Sequence, residues 1–151
     1  MALESTKIFG LDFPNKLGLA AGMDKNADYV DSLSYLGFGF LELGTLTPKA
    51  QSGNLKPRLF RLRKERSLIN NMGFNNKGIE HAVLKVKNSK SQIIKGISIG
   101  KNQDTPLEKA IEDYLFCFEK AYPICDYIAV NISSPNTKDL RQLESEQYFS
   151  S

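Results

Sequence analysis

A chain of 151 residues with 41% hydrophobic and 25% charged residues can bury one ordinary core. Its net charge of +3 comes from Lys and Arg spread along the sequence, which excludes a concentrated nucleic-acid footprint. Two cysteines exclude a disulfide framework, and no run reaches the ~18 apolar residues of a membrane span.

In chain order, residues 7–12 and 15–19 alternate about Pro14-Asn15, which predicts a small N-terminal hairpin. Residues 17–21 continue as a short apolar strand. Residues 26–36 then place Val30, Leu33 and Leu36 at helical spacing, and Gly37 stops that helix. Residues 38–43 are a second strand. Residues 45–75 form a long irregular excursion punctuated by Pro48, Gly53 and Pro57, with residues 58–62 as a hairpin arm. Residues 76–87 return to helical spacing through Ile79, Val83, Leu84 and Val86, and residues 93–99 are a third strand. The clearest helix spans residues 104–121. Asp104 or Thr105 is its N-cap, Pro106 sits in the first turn, and Leu107, Ile111, Leu115 and Phe118 form one stripe. Residues 126–131 are the fourth strand. Cys117, on the helix, and Cys125, before this strand, read as reduced core thiols, and residues 1–9 lack the apolar centre of a signal peptide. Residues 1–151 therefore read as one soluble unit without repeats or linkers.

Strand and helix alternate and the strands are continuously apolar, so the sheet is parallel. A doubly wound sheet and part of a (β/α)8 barrel compete. No G-x-G-x-x-G follows any strand, which weighs against the first. The second gains from the polar residues at each strand end: Asp24 and Lys25, then Thr45 and Thr47, then Ser98, Lys101 and Asn102, then Asn131, Ser133, Ser134 and Asn136. In a parallel barrel these ends converge on one face. Taken singly, Lys25 also reads as a surface charge beside a helix, and Thr45 and Ser98 as caps or turn residues. Asn70, Asn71, Asn75 and Asn76 surround Gly73-Phe74; Asn75 or Asn76 suits a helix cap, whereas Asn70 is not needed for one. Side-chain amides both donate and accept, and a lysine suits an anion. Together these residues describe a pocket for something like a pyrimidine ring bearing a carboxylate. His81, on the helix after the excursion, reads as a surface or packing residue, and no metal site is assigned.

The stretches Leu17-Gly-Leu-Ala-Ala-Gly-Met-Asp-Lys25, Gly44-Thr-Leu-Thr-Pro48, Lys56-Pro-Arg-Leu-Phe-Arg61, Asn70-Asn-Met-Gly-Phe-Asn-Asn76, Ile99-Gly-Lys-Asn102 and Asn131-Ile-Ser-Ser-Pro-Asn-Thr137 resemble the class 2, quinone-dependent dihydroorotate dehydrogenases. These are FMN-containing (β/α)8 (TIM) barrels of pyrimidine biosynthesis. The resemblance implies that Ala21, Gly22, Lys25, Thr45, Ser98 and Asn131 contact FMN. It also implies that Lys25, Asn70, Asn71, Met72, Gly73, Phe74, Asn131 and Asn136 bind dihydroorotate or orotate. Ser134 is then the catalytic base, at the position where class 1 enzymes carry cysteine, with a water chain by way of Thr137 under Phe74 as its proton relay. Two positions depart from the pattern: Ser98 replaces a usual asparagine, and Asn71 a common arginine.

A complete barrel needs ~200 residues or more. The expectation is therefore the N-terminal half of the barrel, about four βα units after the small hairpin, inactive alone. Peripheral contact with the cytoplasmic face of a bacterial inner membrane, and access for quinone, would come from a segment outside this sequence. A non-catalytic half-barrel that needs a partner chain, and another FMN-dependent barrel oxidoreductase, are the alternative readings.

Overall fold

Four strands lie parallel in one sheet, in the order in which the chain visits them: β3 (Gly18–Leu19), β4 (Phe40–Leu46), β7 (Ile94–Ile99) and β8 (Tyr127–Val130). This is a computed structural model, and it describes residues 4–137 and 139–144. A doubly wound sheet reverses its strand order at a switch point; here each new strand adds on the same side, as in a barrel. The described residues do not close that barrel.

The helices α1 (Val30–Ser34), α2 (Ile79–Asn88) and α3 (Ala110–Ala121) connect consecutive strands and share one core with the sheet. Strand residues alternate between faces. Leu41 and Leu43 of β4 and Ile97 and Ile99 of β7 are buried together with Val30, Ala82, Val83, Val86, Ala110, Cys117 and Ala121 of the helices. Cys117 is a free thiol that burial pushes up to about 12, and burial likewise raises the free, half-buried Cys125 to about 11.

The opposite face is filled from the N-terminal ends of the strands. Phe40 meets Phe13 edge-on at 5.3 Å between centroids and Tyr127 at 6.4 Å. Glu42, Gly96 and Tyr127 stand side by side in register, and Tyr127 Oη donates to Glu42 Oε2 at 3.2 Å. A Cβ on Gly96 would come within 2.1 Å of the Tyr127 ring, so glycine leaves room for the aromatic beside it. The large side chains thus occupy the base of the sheet, while the small polar ones are left to its C-terminal rim.

The expected elements are present, with corrections to their limits. The N-terminal hairpin pairs β1 (Thr6–Ile8) with β2 (Leu11–Phe13) and turns at Phe9-Gly10, whose φ values are 48° and 84°, instead of at Pro14-Asn15. Residues 15–19 lead into the parallel sheet. The first helix begins later than its periodicity suggests, because the Asp24 carboxylate accepts from the N–H groups of Asn26, Asp28 and Tyr29 and holds those residues in turns. The arm at residues 58–62 is β5 (Leu59–Leu62), and its partner is β6 (Ser67–Asn70). The third helix opens with a 3-10 turn, Leu107–Lys109, and no Asp104 or Thr105 side chain caps it. Its buried stripe is Ala110, Tyr114, Cys117 and Ala121, whereas Ile111, Leu115 and Phe118 are exposed; Leu36 and Leu84 of the other helix patterns are also exposed. After β8 only a 3-10 turn, Leu140–Glu144, is seen, and the rest of the expected helix lies outside the described residues.

A charged cluster ties the turns before α1 to α2 and the residues just before it. Asp28 bonds Lys77 and His81, each at 2.8 Å, with Lys85 at 3.6 Å. The Lys77 hydrogen bond, and then that of His81, hold the Asp28 carboxyl down at about 2. His81 is thus engaged by Asp28. No helix among the described residues is long and apolar enough to cross a membrane.

Candidate active site

The loop after β3 is fixed by its backbone. Gly22 N donates to Gly44 O at 2.7 Å, and Gly44 N donates to Asp24 O at 3.0 Å, so this loop and the end of β4 are stitched together. Lys25 follows directly. Its ammonium has no hydrogen-bond or ion-pair partner among the described residues. Partial burial, and then the charge of Arg58, lower its pKa from 10.5.

Three more strand ends meet through hydroxyls and an amide. Thr45 Oγ1 lies 2.8 Å from Ser98 Oγ and accepts from Asn131 Nδ2 at 3.0 Å. From behind the sheet, Tyr114 Oη donates to the Asn131 carbonyl oxygen at 2.9 Å. Burial pushes the Tyr114 phenol up to about 12, so it stays a neutral donor.

The excursion closes the fourth side. Leu59 and Asn70 are register partners on β5 and β6, and both face the rim. Extended backbone points alternate side chains the same way, so Asn70 and Met72 face inward while Asn71 turns out and accepts from Asn54 Nδ2 at 2.7 Å. Asn136 Nδ2 donates to Asn70 Oδ1 at 3.0 Å, and Asn136 N to Ser134 Oγ at 3.3 Å. Asn76 is structural: its Oδ1 accepts from Gly78 N at 2.8 Å and its Nδ2 donates to Thr47 Oγ1 at 2.8 Å. Asn75 Oδ1 is buried without a hydrogen-bond partner among the described residues.

The result is one cleft of ≈ 350 Å³ walled by Ala21, Gly22, Lys25, Thr45, Asn70, Met72, Gly73, Phe74, Asn131, Ser134 and Asn136, together with Leu59. Two expected residues stand outside this wall. Asn71 points away for the reason of alternation just given, and Ser98, 2% exposed, is too short to pass Thr45. Thr137, buried, does not line it either. Leu59, Asn54 and Tyr114 were not anticipated as parts of the site, and Asp24, expected at the rim, instead holds the turns after β3.

The sequence pattern of the family described as dihydroorotate dehydrogenase matches residues 3–151. The chain belongs to the dihydroorotate dehydrogenase family. It is 59% identical over 144 residues to a dihydroorotate dehydrogenase (quinone) of Coxiella burnetii, covering 95% of this chain and 42% of that protein. It is 55% identical over 145 residues to the protein of that name from Azoarcus sp., covering 96% and 43%. A crystal structure of DHODH from Eimeria tenella in complex with ferulenol superposes with a TM-score of 0.88 at 40% identity, over 96% of this chain and 40% of that one. The chain thus spans about two fifths of the length of the curated relatives it matches, and every residue that lines the cleft lies within the matched region.

Proposed function

We propose that residues 1–151 supply the N-terminal half of a class 2, quinone-dependent dihydroorotate dehydrogenase, which oxidises dihydroorotate to orotate at this cleft. The observation that carries the reading is the meeting of Lys25, Asn70, Asn131, Ser134 and Asn136 in one cleft, from three separate segments of the chain. Relatives bearing the quinone-dependent name, at 55% to 59% identity, support the class. So does Ser134, at the position where class 1 enzymes carry cysteine.

The donor set fits FMN. Ala21 and Gly22 leave backbone open to a flat ring, Thr45 and Asn131 offer a hydroxyl and an amide to its polar edge, and Lys25 has no counter-ion among the described residues. Bound there, FMN supplies the acceptor for the hydride that leaves dihydroorotate. The chain's own residues do the remainder. Asn70, Asn131 and Asn136 match the alternating N–H and C=O groups of the substrate ring, because each amide both donates and accepts. Lys25 pairs with the carboxylate and stabilises negative charge that develops during oxidation. Ser134 Oγ takes the C5 proton. Serine is a weak base, so it must pass on its own hydroxyl proton as it does so. Among the described residues no imidazole or carboxylate lines the cleft, so the proton leaves through water, and the family resemblance makes the Thr137 hydroxyl its relay. Electrons then pass to quinone, at the cytoplasmic face of the inner membrane.

The test is dihydroorotate-dependent quinone reduction by a polypeptide of full family length carrying these residues. Orotate formed in step with reduced quinone supports the reading. A flavin-loaded protein that bleaches with another reductant but not with dihydroorotate contradicts it.

A further inference from the structure

We infer that Asn54 is a positioning residue whose side-chain amide clamps the segment bearing Asn70 to Phe74 onto the loop bearing Ser134 and Asn136. Asn54 is not part of the cleft wall. Its Nδ2 carries two N–H groups, and both are used: one donates to Asn71 Oδ1 at 2.7 Å, the other to the Asn136 carbonyl oxygen at 3.0 Å, across 82 residues of sequence. The backbone of Asn54 is held too. Its N donates to Met72 O at 3.0 Å, and its O accepts from Arg58 Nη1 at 2.9 Å.

Gly73 completes the fit. A Cβ there would lie 2.8 Å from Asn54 Cγ and 2.9 Å from its Oδ1 and Nδ2, so the amide rests flat against the glycine backbone. The φ of +70° at Gly73 is itself a glycine conformation. Asn54 and Gly73 are therefore matched shapes on either side of one contact.

The clamp matters because of what a ligand does to its neighbours. Asn136 and Asn70 now bond each other at 3.0 Å, and both are proposed substrate contacts. A bound ring takes those amides for itself and breaks their mutual bond. The Asn54 contact to the Asn136 backbone uses no atom that the ligand needs, so it goes on holding the Ser134 loop against the excursion when the cleft is full. The inference rests on the reading of this cleft as the dihydroorotate site.

The experiment is orotate titration of the FMN-loaded enzyme of full family length, followed by flavin absorbance, with Asn54→Ala and Asn54→Asp beside the unmodified protein. Loss of two hydrogen bonds predicts that the orotate Kd and the dihydroorotate KM rise ~10-fold in Asn54→Ala, while FMN per chain and the thermal midpoint stay unchanged. Asn54→Asp keeps the volume and loses both donors. Asn71 can rotate its amide to meet the new carboxylate but the Asn136 carbonyl cannot, so a comparable loss is expected. Orotate affinity within about twofold of the unmodified enzyme in folded Asn54→Ala overturns the clamp; if that variant does not retain FMN, the same result in Asn54→Asp does so. An unmodified enzyme that binds no orotate overturns the reading of the cleft, and the clamp with it.

Discussion

Thr45 Oγ1 stands 2.8 Å from Ser98 Oγ, and with Asn131 Nδ2 at 3.0 Å on its other side it joins the ends of three parallel strands into one hydrogen-bonded wall. Ser98 occupies the position where the resemblance leads one to expect an asparagine, and its short side chain stops at Thr45 without reaching the cleft. Its work is thus to orient Thr45. Ser98→Ala removes a buried partner and should cost about 1 kcal/mol of stability. FMN affinity should weaken several-fold, read by the return of flavin fluorescence on dilution. Thr45→Val breaks both contacts and should cost more than Ser98→Ala. Equal flavin affinity in all three proteins would mean that the wall does not position the cofactor.

Ser134→Ala separates chemistry from binding. General base catalysis contributes ~100-fold or more, and kcat should fall by at least that factor in stopped-flow flavin reduction. The asparagines proposed to bind the ring are untouched, so orotate affinity should change by less than about threefold. A variant that keeps most of its rate removes Ser134 from the role of base.

Lys25 gives the site an alkaline limit. Burial and the Arg58 charge lower its pKa from 10.5 in the ligand-free protein, and only the ammonium form pairs with a carboxylate. Orotate affinity should therefore be flat near neutral pH and decline as pH rises through that lowered pKa, before 10.5 is reached. Lys25→Met should bind orotate more weakly at neutral pH and lack the alkaline decline. A Lys25→Met protein with the original pH profile would assign the limb to another group.

Much of this site was legible because the signals were short-range. The apolar runs before Thr45, Gly100 and Asn131 could only be buried strands, and polar residues at each of their ends implied a shared rim. What was missed depends on tertiary partners. Nothing near Leu59 indicates that its strand pairs with residues 67–70 and turns it toward Asn70. The hairpin turn at Phe9-Gly10 lacks an Asn-Gly signal, whereas Pro14-Asn15 pairs two common turn residues, and it places phenylalanine at φ 48°. On α3 the sequence carries two adjacent stripes, and the larger side chains mark the exposed one. The smaller Ala110, Cys117 and Ala121 are buried because they allow the helix to lie close to the sheet. Asn71 illustrates alternation, since its neighbours Asn70 and Met72 face the cleft and it does not.

Asp28 supplies a test of the scaffold apart from the site. Its carboxyl titrates at about 2 against 3.8 unperturbed, so the folded state binds the proton less readily than the unfolded one. The associated stability is complete above pH 3.8 and is lost as pH falls toward about 2. Lys77 is half-exposed and screened by solvent, which limits the gain to about 1–2 kcal/mol. Asp28→Asn should lower the thermal midpoint at pH 7 and flatten its fall in acid. An unchanged midpoint at pH 7 would show that the cluster does not join the turns before α1 to α2.

The most direct measurement is a crystal structure of the flavin-loaded enzyme of full family length with orotate bound. The account predicts one orotate with the amides of Asn70, Asn131 and Asn136 at hydrogen-bond distance of its ring, Lys25 at its carboxylate and Ser134 Oγ facing its C5. Orotate held elsewhere, with Asn136 still bonded to Asn70 across an empty cleft, would contradict it.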